Sequence, residues 1–121
     1  MLPSGRIDRS YGRDGITRFP GNADSLSSSG TSLLRIGSGR VLSLTSVYGS
    51  TSAALISATV RAFTTGGAID RSFGTAGVRV IDLRTLPRTE YWDIALAPAH
   101  DRGAWIVIGF PKEVDLIPVR P

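Results

Sequence analysis

The 121 residues suffice for one modest domain, and an apolar content of 41% is enough to form a core, which excludes a disordered chain. The chain has no cysteine, no apolar run long enough to cross a bilayer as a helix, and no charged-then-apolar order at Met1-Leu2-Pro3-Ser4-Gly5-Arg6; disulfides and thiolate chemistry are excluded, a membrane-spanning helix and a signal peptide are not expected, and the sequence as written reads as soluble without an export signal. The net charge of +4 is spread singly from Arg6 to Arg120 with aspartates between, which reads as a solvated surface and not as a nucleic-acid-binding stripe.

Taken in chain order, the first candidate strand is residues 15–19, Gly-Ile-Thr-Arg-Phe, ending at Pro20-Gly21. Residues 22–32 are expected to form a polar loop, low in complexity across its serines. Leu33-Leu34-Arg35-Ile36 and residues 40–45 then make a hairpin around Gly37-Ser38-Gly39, and residues 53–63 supply a longer strand. Residues 78–83 are the next strand, followed by a loop closed by Pro87 and by a strand at residues 92–97. The turn over residues 98–103 is expected to be two residues longer than its counterpart at Gly37-Ser38-Gly39. Residues 104–110 are the most apolar strand. In the last strand, residues 114–121, Val119-Arg120 stands where Val60-Arg61 stands, and Pro118 confines it to an edge or a bulge.

One turn signature occurs twice. Gly5-Arg6-Ile7-Asp8-Arg9-Ser10-Tyr11-Gly12-Arg13-Asp14-Gly15-Ile16 returns as Gly67-Ala68-Ile69-Asp70-Arg71-Ser72-Phe73-Gly74-Thr75-Ala76-Gly77-Val78, each matched pair 62 positions apart. The glycines suit positive φ, and Asp8 and Asp70 are placed to accept the N–H two residues on, as an Asx-turn. Ile7 with Tyr11, and Ile69 with Phe73, are the expected apolar pegs, the aromatic carrying the packing. A calcium site is not expected there, because only one carboxylate repeats per signature: Asp14 has Ala76 as its counterpart.

The pattern G-x-I-D-x-S-[FY]-G-x-x-G followed by a strand resembles the delta-60 repeat of bacterial proteins, often secreted chains whose repeats are similar to β-propeller blades. The likeness extends to Gly39-Arg40-Val41-Leu42-Ser43-Leu44 and Gly103-Ala104-Trp105-Ile106-Val107-Ile108-Gly109, where the family has a D-G-K-I-L-V-x-G hairpin; the usual Asp is here Ser38 and Arg102. The resemblance implies an all-β chain of two four-stranded antiparallel blades, residues 1–66 and 67–121, either a fragment or a propeller completed by oligomerisation. It also implies a secreted or cell-surface setting.

No metal, cofactor or catalytic residue is expected. His100 is the only histidine and no nucleophile-elbow pattern accompanies it. Tyr91 and Trp92 are the candidate binding residues, as an aromatic pair flanked by Glu90 and Asp93, whereas Trp105 within an apolar strand is expected in the core. The expected function is a non-catalytic repeat module for partner binding or scaffolding, engaged in self-association or in a larger repeat protein, with a carbohydrate or protein ligand. The alternatives are a lectin-like oligomeric propeller and a hydrolase using Asp82, Glu90, Asp93 or Asp101.

Overall fold

The computed structural model describes residues 3–18, 27–48, 55–84, 93–99, 103–109 and 113–119. It is all-β, with two antiparallel sheets. The first has the order β1 (Ser27–Arg35), β2 (Val41–Tyr48), β3 (Leu55–Phe63), β4 (Val78–Asp82); the second has β5 (Asp93–Pro98), β6 (Ala104–Gly109), β7 (Val114–Val119). Every neighbour in each sheet is also the next in sequence, so each sheet is an antiparallel meander.

One expectation about a boundary changes. Residues 27–32 lie in β1, not in a loop: β2 gives them a paired edge, with Ser28 opposite Val47 and Ser32 opposite Leu44. The sheets do not divide where the signatures repeat. β4 lies beyond residue 67 yet pairs with β3, Val60 opposite Arg79, because the second signature folds the chain straight back on the strand before it. The expected strand at residues 15–19 is, over its described part, a single bridge between Arg13 and Ile16.

The two hairpin turns are closed by the same bond. Ile36 N–H donates to Arg40 C=O at 2.9 Å and Ala99 N–H donates to Gly103 C=O at 3.1 Å, so each turn encloses three residues and the longer second turn expected above is corrected. Because bonded and non-bonded pairs alternate along an antiparallel ladder, these closures align the sheets. Leu42 corresponds to Trp105 and Leu34 to Ala97; across the next ladder the pair Leu42–Ala62 corresponds to Trp105–Pro118. Leu116 therefore stands where Val60 stands, and Val114 where Ala58 stands, replacing the match of Val119-Arg120 to Val60-Arg61.

The shared interior then has a definite sense. Sheet 1 contributes Leu42, Leu44, Ala58, Val60 and Ala62, with Phe73, Ile36 and Leu83 around them; sheet 2 contributes Ala104, Ile106, Ile108 and Val119. Leu42 and Leu44 correspond to Trp105 and Val107, which lie on the opposite face of β6 from Ile106 and Ile108. One face of sheet 1 thus meets the non-equivalent face of sheet 2, a head-to-tail stacking. Leu96 N–H at the free edge of β5 donates to Ser32 Oγ at 3.1 Å and joins the sheets directly. The other face of sheet 1 is also buried at its centre, at Ser43, Thr59 and Arg61, and burial lowers the Arg61 pKa.

Candidate functional site

Both signatures fold as Asx-turns. Ser10 N–H and Oγ–H donate to Asp8 Oδ1 at 3.0 and 2.6 Å, and Ser72 N–H and Oγ–H donate to Asp70 Oδ1 at 3.1 and 2.6 Å. The serine hydroxyl bond is the largest influence holding each carboxyl below the usual aspartate range. Phe73 is wholly buried beneath the second signature, with the Arg79 guanidinium 5.2 Å from its ring centre; Tyr11 is half-buried. The isoleucines do not share that role. Ile7 is 62% and Ile69 38% exposed, each lying across the glycine eight residues on, Gly15 and Gly77.

The signatures stack on each other. Gly12 N–H donates to Gly66 C=O at 2.7 Å, and Thr17 Oγ–H donates to Gly67 C=O at 2.6 Å. Gly67, at φ +87°, allows this approach, since a Cβ there would lie 2.8 Å from Gly12 N and from Thr17 Oγ1.

Tyr91, Trp92, Glu90, His100 and Asp101 lie outside the described residues. Asp93 is placed only as the first residue of β5. Asp82, at the end of β4, is engaged by Arg84: the backbone N–H and Nε reach Oδ1 at 2.9 and 3.0 Å, and Nη2 reaches Oδ2 at 2.8 Å. These bonds, the side-chain one foremost, bring its pKa to about 2, so at neutral pH it is a carboxylate with no proton to donate. Among the described residues no group of three metal-ligating side chains is present, and no helix is long and apolar enough to cross a membrane.

The feature that remains is the outer face of sheet 2. Ala97, Trp105, Val107, Val114, Leu116 and Pro118 share it, and Trp105 is half-buried there instead of in the core where it was expected. The comparison within the chain is direct. Ala58 and Val60 are 0% exposed, whereas their counterparts Val114 and Leu116 are 60% and 55% exposed. Along β7 the alternation turns the N–H and C=O of Val114 and Leu116, and the C=O of Pro118, toward the free edge, so proline removes no bond to β6. The apolar alternation of Val114, Leu116 and Pro118 was visible in the sequence, but which face it lay on depended on the register.

No known protein-family model matches the chain, and no curated protein and no solved structure is significantly similar to it.

Proposed function

We propose that this chain is a non-catalytic repeat module whose outer sheet-2 face binds a protein partner or further repeats. The observation that carries this is the exposure of Val114 and Leu116 at positions whose counterparts in sheet 1 are fully covered by a neighbouring strand and sheet. The apolar stretch of Ala97, Val107, Val114, Leu116 and Pro118 around Trp105 supports another protein surface as the partner. The non-equivalent stacking of the two sheets supports treating them as successive blades of a propeller-like repeat, since each blade in such an array offers one face forward and the other back.

The test compares the native chain with Val107→Asp by light scattering over a concentration series and by binding of an apolar dye. A native chain that binds dye or associates, with a folded Val107→Asp chain that does neither, is the expected result. Turnover of an ester, glycoside or peptide substrate that is lost on replacing one of the carboxylates would make the protein an enzyme and displace this reading.

A further inference from the structure

We infer that a second copy of this chain seats its own residues 4–18 on the free edge of β7, supplying the fourth strand of sheet 2. This rests on the reading of the sheet-2 face and edge as a binding surface, and names the partner. The first ground is an internal precedent. The second signature docks on β3 through Asp70 N–H to Ala62 C=O at 2.9 Å and Ala62 N–H to Gly77 C=O at 3.1 Å, then continues as β4 with Arg79 opposite Val60. The first signature carries the same turn, and β7 offers the same edge: Pro118 C=O for Asp8 N–H, and Leu116 for Thr17. Pro118 has no N–H, so one bond of the precedent, that to the Gly77 counterpart Gly15, is not made.

A second ground comes from the stacking of the signatures. Gly12 N–H holds Gly66 C=O, and Gly74 is the counterpart of Gly12. Among the described residues the Gly74 N–H has no partner, and the acceptor it calls for, by the same 62-residue offset, is Ser4 C=O. Within one chain Ser4 cannot serve, because its signature sits on the other side of the stack. Gly5, the counterpart of Gly67, has the same glycine-only backbone at φ +80° but nothing within 4 Å of where its Cβ would be. Both vacant positions, the β7 edge and Gly74, are met at once by residues 4–18 of one incoming copy.

Charge adds a third. Where Val80 faces Thr59 across β3 and β4, the incoming Arg18 would face Asp115 in a non-hydrogen-bonded pair, the closer of the two cross-strand spacings. Neither Arg18 nor Asp115 has an ion-pair partner among the described residues. The interaction is heterologous: each copy both gives a segment and accepts one, so two or more copies close a ring or continue as an array.

The experiment uses the whole chain, which has no native cysteine. Arg18→Cys and Asp115→Cys variants, distinguished by a tag, are mixed in equal amounts under mild oxidation. The expected product is the mixed disulfide well above the half expected from random pairing. In parallel, Arg18→Asp and Asp115→Arg should each weaken association by about three- to tenfold in sedimentation equilibrium, and the double reversal should restore it to within about twofold. A chain that stays monomeric throughout, or one that associates with no excess of the mixed disulfide and no response to the reversals, overturns the proposal. In the second case the sheet-2 face still binds, through another geometry, and the module reading stands; loss of that reading instead shows as a Val107→Asp chain that associates and binds dye as the native chain does.

Discussion

The Arg40 guanidinium closes on the Asp70 carboxylate, Nη2 to Oδ2 2.5 Å, and ties the turn of the first hairpin to the second signature. Asp70 therefore holds its own Asx-turn and a partner from a different element. Asp8, its repeat counterpart, holds Ser10, while the hairpin position corresponding to Arg40 is Gly103. The two copies of one sequence pattern are thus unequal in what they anchor: the second signature is fastened to sheet 1 by charge, by Phe73 and by β4, and the first rests on the second.

This inequality sets a pH dependence. The folded pKa of Asp70 is depressed, chiefly by Ser72 and then by Arg40. A depressed carboxylate stabilises fully above its unfolded pKa of about 3.9, and that contribution is lost as pH falls through the folded value. Asp70→Asn keeps an oxygen for the turn but not the charge, so its Tm should trail the native chain's at pH 7 by a few degrees and converge with it toward pH 2. Asp70→Ala should lose more at pH 7, by the same amount in calcium as in chelator. A calcium-dependent rise in Tm that disappears in Asp70→Ala would show that the turn binds metal.

The aromatic pegs should separate by burial. Phe73 is wholly enclosed, so Phe73→Ala removes its contacts and leaves a cavity, a loss of about 3–5 kcal/mol. Tyr11 is half-buried and its truncation should cost about 1–2 kcal/mol. Urea unfolding of the two variants measures this; equal losses would mean that the first signature is packed as tightly as the second.

Asp82 is predicted to be inert in chemistry. With Arg84 on both carboxylate oxygens and a pKa of about 2, it accepts bonds and does not deliver a proton near neutrality. Asp82→Asn should leave any binding by the chain unchanged and move Tm by no more than a degree or two, as expected for an exposed ion pair. A bell-shaped activity profile abolished by this substitution would contradict the assignment.

Much of this fold was legible because its signals are local. The Asx-turns follow from an aspartate two residues before a serine, the turn glycines from their spacing, and the hairpin from Gly37-Ser38-Gly39 between apolar strands. Positive φ at Ala76 was not legible, since alanine carries no such signal, and at Asp14 the signal was weak, aspartate being enriched there but far less than glycine. The binding surface was hidden for a different reason. Trp105 alternates with Ile106 in one apolar run, and composition cannot tell an inward side chain from an outward one; a one-residue difference in the hairpin match exchanges the faces. The closing bond from Ala99 to Gly103 fixes the match, and the burial of Ile106 and Ile108 shows which face is inward.

The paired glycines give the sharpest internal comparison. Gly5 and Gly67 both have φ near the left-handed region, so an alanine at either is strained by about 1–2 kcal/mol. At Gly5 the cost stops there, because no atom lies within 4 Å of the added methyl. At Gly67 the methyl also meets Gly12 N, Thr17 Oγ1 and Tyr11 Cε1 at 2.8–2.9 Å, and the first of these is backbone that can yield only by unstacking the signatures. Gly67→Ala should therefore cost about 1–3 kcal/mol more than Gly5→Ala in chemical denaturation at the lowest workable protein concentration. The same pair should respond differently to concentration. If a second copy occupies the space around Gly5, the deficit of Gly5→Ala grows as the protein is concentrated and assembly is favoured, while that of Gly67→Ala, set within one chain, stays constant.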